Sequence, residues 1–397
     1  MKISYAKTVY GQKEINAVVE CLKEGTQMGK RTTKFETEIS KLFSKKHGLF
    51  VNSGSSALYI GMEASSFREG GEIITPALTF STTVGCIVKN NLVPVFVDVG
   101  KNDYCIDVNQ IESAISKDTV AILAPNLMGN LCDWESIRTI ADKHNLIVIE
   151  DSADTLGAKL NGKYSGHYSD WSITSFYGSH IINCAGNGGM LCVNDDKLQI
   201  KSKLLRSWGR SSSIFGEDSE SIENRFNMKI DDIDYDAKFV FEEIGYNLEG
   251  SEIGAAFGLA QLEDLHKNIN QREKNFQTQT SFFNKYPDLF ITPYQDKSVE
   301  TAWLAYPVII SANAKFSRKD FQVYLEKNDI QTRTVFTGNI TRQPGFKNIN
   351  MKKAKINFEN ADNIMQNAVL LACHHGMTPE MFDYMHETID SFVKEYA

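Results

Sequence analysis

The stretch SFYGSHIINCAGNGGM, residues 175–190, overlaps two short apolar runs, WSITSF (171–176) and GGMLCVN (188–194), and its paired glycines mark a turn into the second. Working outward toward the N-terminus, similar runs recur at GLFVNS (48–53), EIITPA (72–77), VPVFVDV (93–99), TVAILAP (119–125) and NLIVIED (145–151). Several are apolar throughout rather than alternating, so both faces of the sheet they form must be covered. Helix-capable polar segments separate them, as parallel neighbours require, because a parallel pair needs a crossover connection. The reading is an α/β fold with a mostly parallel seven-stranded sheet, and ligands on such sheets collect at strand ends.

Ahead of the sheet, Ile15, Val18, Val19 and Leu22, and then Phe35, Ile39, Leu42 and Phe43, follow helical spacing. This predicts two amphipathic helices, each with one buried face. From about residue 262 the texture changes to a long polar helix, a lone strand-like AWLAYPVII (302–310) and further helices. The chain therefore divides into a large domain over 1–262 and a smaller α+β domain over 263–397.

At 397 residues, with 42% hydrophobic and 23% charged content and only 8 prolines, the chain should fold throughout. A net charge of -8 without a basic block gives no reason to expect nucleic acid as a partner. No apolar run is long enough to cross a membrane and the start lacks a signal-peptide core, so a cytoplasmic location is expected. The seven cysteines, scattered singly, are read as reduced packed thiols rather than a disulfide or zinc framework. His374 and His375 are adjacent, yet sequence neighbours rarely face one metal, and no metal site is expected.

Two motifs stand near strand ends. Asn52 to Leu58 (NSGSSAL) is a small-residue loop entering a helix. Its backbone N–H groups suit a phosphate monoester, although serine there equally reads as a plain helix cap. Glu150 to Asp154 (EDSAD) follows an apolar strand. Its carboxylates suit a protonated heterocyclic nitrogen, or again only a cap.

Together with residues 175–190, these motifs resemble the DegT/DnrJ/EryC1/StrS sugar aminotransferase family of fold-type I, aspartate-aminotransferase-like enzymes. The resemblance runs nearly end to end, from Met28-Gly29 and Phe35-Glu36, through the Pro76 to Thr83 segment, to GYNLEGSEIGAAFGLAQL (245–262). It implies pyridoxal 5'-phosphate (PLP) or pyridoxamine 5'-phosphate (PMP) as cofactor and a dimer with shared sites. Gly54, Ser55 and Ser175 are implied to hold the phosphate, Phe80 to lie on the ring face, Asp151 to meet the pyridine nitrogen, and Asn247 to reach in from the partner subunit.

Where the family carries its Schiff-base lysine, this chain has His180. An imidazole cannot form the stable imine by which a lysine holds PLP, whereas PMP brings its own amine. Histidine at this point is similar to the 3-dehydratase branch, which removes the C3 hydroxyl of nucleotide-linked 4-keto-6-deoxyhexoses. Asp154, the run Leu205 to Arg210, Gly245 to Leu248, and the run Thr332 to Asn339 continuing to Pro344 also look like that branch.

The resemblance implies His180 as acid/base with an ordinary pKa of ~6.5. It places Asp154 at the reactive edge, lets Arg333 meet an anion, and makes L-glutamate the amino donor. Two departures stand out: Ser211, Ser212 and Ser213 replace the clustered cysteines of iron-sulfur dehydratases, and Asn187 stands where glutamate is usual. Three rivals remain: an aminotransferase whose lysine became histidine, a silent cofactor-binding or scaffold protein, and an iron-sulfur dehydratase with unconventional ligands.

Overall fold

A computed structural model describes residues 1–215, 221–354 and 357–396. All seven apolar runs form strands of one sheet: β1 (His47–Val51), β2 (Glu72–Pro76), β3 (Val93–Val97), β4 (Thr119–Pro125), β5 (Ile147–Ser152), β6 (Trp171–Ser175) and β7 (Gly189–Val193). Their order is β1-β7-β6-β5-β4-β2-β3, and among these seven β7 alone runs against its neighbours. Helices cover both faces, which is why β2 and β3 are buried along their whole length.

The expectation of seven strands is corrected to eight. Lys352–Lys353 adds to the free edge of β3 in parallel register. Two lysines carry no apolar signal; they pair through backbone alone, and Lys352 forms an ion pair with Glu72. A charged edge of this kind discourages further pairing.

Of the two opening helices, Lys30–Lys41 buries Phe35 and Ile39 as its spacing predicts. The first, Gln12–Glu24, does not follow its apolar stripe: Ile15, Val19 and Leu22 are 43%, 42% and 57% exposed. Instead Glu14 faces inward, where its carboxylate accepts the Gly11 N–H and the Gln261 amide. Periodicity marks a face as apolar without saying that the same chain covers it.

The C-terminal part has its own antiparallel sheet, Phe290–Ile291, Tyr306–Ile310 and Ala368–Leu371, flanked by helices that include Leu265–Phe283 and Pro379–Tyr396. The strand expected over 302–310 is thus shorter, because residues 302–305 instead pack against the turn after β4, where the Leu304 N–H donates to the Met128 carbonyl at 2.7 Å. The N-terminus crosses to this part: Ile3 pairs with Ile330 through backbone bonds of 2.8 and 2.9 Å involving Asp329 and Gln331. One hydrophobic core joins Ile3, Leu127 and Met128 to Trp303, Phe321 and Phe392, so residues on both sides of the proposed 262/263 division pack together. All seven cysteines are free and buried.

Candidate active site

The carboxyl ends of β1, β4, β5 and β6 and the segments after β2 converge on a cavity of about 460 Å³. Gly54, Ser55, Phe80, Asp151, Asp154, Ser175 and His180, seven of the nine residues singled out from the sequence, all line it. Asn247 and Arg333 do not line it. Asn247 is exposed and bridges Ser207 through its backbone. Arg333 stands behind the wall with its guanidinium 5.6 Å from the Tyr5 ring centre.

One corner of the cavity suits an anion. The helix Gly54–Ala64 starts there, capped by Ser53, whose side chain accepts the Ser56 N–H at 3.1 Å. In the first turn of a helix the N–H groups of Gly54 and Ser55 have no intrahelical acceptor, and the helix dipole adds positive potential. The loop is clamped against the strands: a Cβ on Gly189 would stand 2.2 Å from the Ser53 carbonyl carbon, and one on Gly54 2.8 Å from the Ser175 Cβ. The second of the paired glycines, Gly189, therefore permits β7 to lie against the phosphate-type loop.

Asp151, at the end of β5, is 4% exposed. Its carboxylate accepts the Thr83 hydroxyl at 2.7 Å and the Ala153 N–H at 3.1 Å. Among the described residues no cation pairs with it, and burial pushes its pKa up. A buried carboxylate of this kind favours a cation arriving in the cavity.

His180 sits on the loop after β6. Its Nδ1 is 3.1 Å from the Ser175 carbonyl oxygen, which can only accept, so the ring proton belongs on Nδ1, and the Ala153 backbone also interacts with the ring. Nε2 lies 4.0 Å from the Asp154 carboxylate. Burial pushes the imidazole down to about 4, with Arg272 adding to the effect, which corrects the ordinary value expected from the sequence. The imidazole is therefore neutral near pH 7. Burial likewise lifts Asp154 to about 7 against the opposing Met128 N–H bond of 2.8 Å.

The Met128 turn is strained, with φ +58°, and Asn126 anchors it by bonding Glu150, Ser152 and Trp134. Arg272, fully buried, donates to the carbonyls of Trp303, Leu304 and His180 and to the His375 Nδ1. It ties the His180 loop to the C-terminal part.

Phe80 is half exposed (49%) at the cavity rather than packed in a core, and meets Phe336 edge-on at 6.0 Å. Phe336 belongs to the 332–344 run, so a signal for it existed. Tyr5, Tyr177, Thr83 and Leu304 also line the cavity; Tyr177 and Thr83 lie within family motifs quoted from the sequence, whereas Tyr5 and Leu304 lie outside them and their spacing carries no message.

The DegT/DnrJ/EryC1/StrS aminotransferase family model matches residues 9–390, nearly the whole chain. The chain belongs to this family. Among its relatives, lipopolysaccharide biosynthesis protein RfbH of Salmonella typhimurium is 31% identical over 97% of this chain and 90% of its own length. A dTDP-4-dehydro-2,6-dideoxy-D-glucose 3-dehydratase of Saccharopolyspora spinosa is 32% identical over 92% and 80%. A GDP-perosamine synthase of Caulobacter vibrioides is 32% identical over 69% and 68%. Among solved structures, a GDP-4-keto-6-deoxymannose 3-dehydratase with a trapped PLP-glutamate geminal diamine superposes with a TM-score of 0.86 at 25% identity, covering 97% of this chain and 99% of that one.

This aminotransferase family depends on PLP. The residues present fit that group: a buried acid without a cationic partner, a small-residue helix start and an aromatic face at Phe80. Among the described residues no helix is long and apolar enough to cross a membrane.

Asp154 yields a stability prediction. Its folded pKa of about 7 lies above the ~3.9 of an unfolded aspartate, so the folded state holds the proton more tightly. Stability is unaffected below ~4, falls as pH rises toward ~7 and then levels off. Asp154→Asn removes this slope. Its melting temperature should match the parent's near pH 4 and exceed it at pH 8, reflecting a stability difference of at most about 4 kcal/mol. Parallel melting curves for the two proteins across that range would refute it.

Proposed function

We propose that the chain is a PLP/PMP-dependent 3-dehydratase that removes the C3 hydroxyl of a nucleotide-linked 4-keto-6-deoxyhexose. L-Glutamate restores the cofactor's amine, and the enzyme acts as a cytoplasmic homodimer in which Asn247 completes the partner's site. One observation carries the reading: His180 occupies the lysine position with its Nε2 beside Asp154, and among the described residues lining the cavity there is no lysine.

When bound, the cofactor supplies a primary amine for the C4 ketone and a ring that accepts electron density. The chain does the rest. Gly54, Ser55 and Ser175 hold the phosphate, and Asp151 keeps a proton on the pyridine nitrogen. Phe80 covers one ring face, stacking worth roughly 1 kcal/mol. His180, neutral at rest, takes a proton through Nε2. Once charged in a site that disfavours its charge, it becomes a strong acid toward the departing hydroxyl.

The oxygen lost by the sugar is balanced by oxidation of glutamate to 2-oxoglutarate, with ammonia released. No cysteine lines the cavity among the described residues, which favours glutamate over an iron-sulfur partner.

The relationship to a GDP-perosamine synthase supports a second reading, transamination. Product analysis separates the two. Incubation with PLP, L-glutamate and 4-keto-6-deoxy sugar nucleotides should give ammonia and a 3-deoxy-4-keto sugar. A 4-amino sugar would establish the second reading instead, and failure to bind PMP would point to a silent scaffold.

A further inference from the structure

We infer that Tyr5 is a substrate-binding residue, donating its phenolic hydrogen bond to an oxygen substituent of the sugar ring; this deepens the proposed function and rests on the same site. The first residues of the chain form a strap over the cavity. Ile3 is paired to Ile330, the Tyr5 N–H donates to the Gln331 side chain at 3.2 Å, and the Ser4 carbonyl lies 3.2 Å from the His374 Nε2. Farther on, the Thr8 hydroxyl donates to the carbonyl of Gly178, two residues before His180. Anchors on both sides of Tyr5 thus set its main chain, and its ring lines the cavity beneath the Arg333 guanidinium.

The Tyr5 hydroxyl makes no hydrogen bond to any described residue. A phenol that opens into the cavity without a protein partner is available to bond a ligand there. Burial and the negative charge of Asp154 both hold the phenol well above its ordinary pKa, so it stays protonated and serves as a donor. The cofactor's ring nitrogen and phosphate already have matches at Asp151 and the Gly54 helix start. Tyr5 stands instead with Asp154, Arg333 and Arg272, at the end of the cavity where His180 acts. A keto-sugar brings ring oxygens that accept such a bond.

The test compares Tyr5→Phe, which loses only the hydroxyl, and Tyr5→Leu, which also loses the ring under Arg333, with the parent, all loaded with cofactor. GDP-4-keto-6-deoxymannose and dTDP-4-keto-6-deoxyglucose serve as probes. Tyr5→Phe should lower kcat/KM for the accepted sugar by about tenfold, chiefly through KM. Cofactor absorbance should be unaltered, and the sugar-free reaction with L-glutamate should stay within about twofold of the parent.

A kcat/KM for Tyr5→Phe within about twofold of the parent would overturn the inference, more so if Tyr5→Leu were impaired, because the ring would then only pack. An equal loss in the glutamate reaction would also overturn it. If the parent's product proves to be a 4-amino sugar, dehydration fails as the function while the comparison of Tyr5→Phe with the parent keeps its meaning.

Discussion

Replacing His180 with asparagine should abolish turnover, lowering kcat by about 10³-fold or more, while the protein still binds PMP. The asparagine amide can keep a donor near the Ser175 carbonyl, so the loop should hold. An amide cannot take up and release a proton near neutral pH, so the Nε2 position loses its function. Cofactor binding is read from absorbance and turnover from ammonia release. Retained turnover would remove His180 from the mechanism. Lost cofactor binding would make it a structural residue. Replacing it with lysine should instead give a covalently held cofactor, detectable by reduction with borohydride and mass analysis.

The second large effect is expected at Asp151. Its carboxylate is held by Thr83 and Ala153 and lacks a cation among the described residues, so a protonated pyridine nitrogen would be its natural counter-ion. Asp151→Asn keeps the shape and removes the charge. The nitrogen would then lose its proton near neutrality, and the ring its capacity to accept electrons. We expect kcat to fall by about 10²-fold or more and the cofactor's absorbance to titrate at lower pH than in the parent. The spectral titration distinguishes loss of the charge pair from simple unfolding. An unchanged titration would overturn the assigned role of Asp151.

The fold was legible because its strands are buried on both faces and therefore announce themselves as continuous apolar runs; all seven formed. The Lys352–Lys353 strand escaped because backbone pairing at an edge needs no particular side chains. The first helix misled for the opposite reason. Ile15, Val19 and Leu22 are apolar with helical spacing, yet burial depends on which neighbour arrives, and Glu14 had a better one in Gln261.

The site was partly legible. Residues next to strand ends, such as Gly54, Asp151 and His180, are marked by the strand that precedes them. Tyr5 and Leu304 reach the same cavity from distant chain segments, and no local pattern foretells that.

By itself the sequence determined the layered α/β order, the family motifs and the exchange of a lysine for a histidine, because each is written in the type and spacing of nearby residues. Only the tertiary structure decided that burial lowers the pKa of this histidine, that it lifts the pKa of Asp154 to about 7, and that Tyr5 lines the same cavity. Those properties come from burial and from partners remote along the chain. Desolvation and charge act through space, so they exist only once the chain has closed around them.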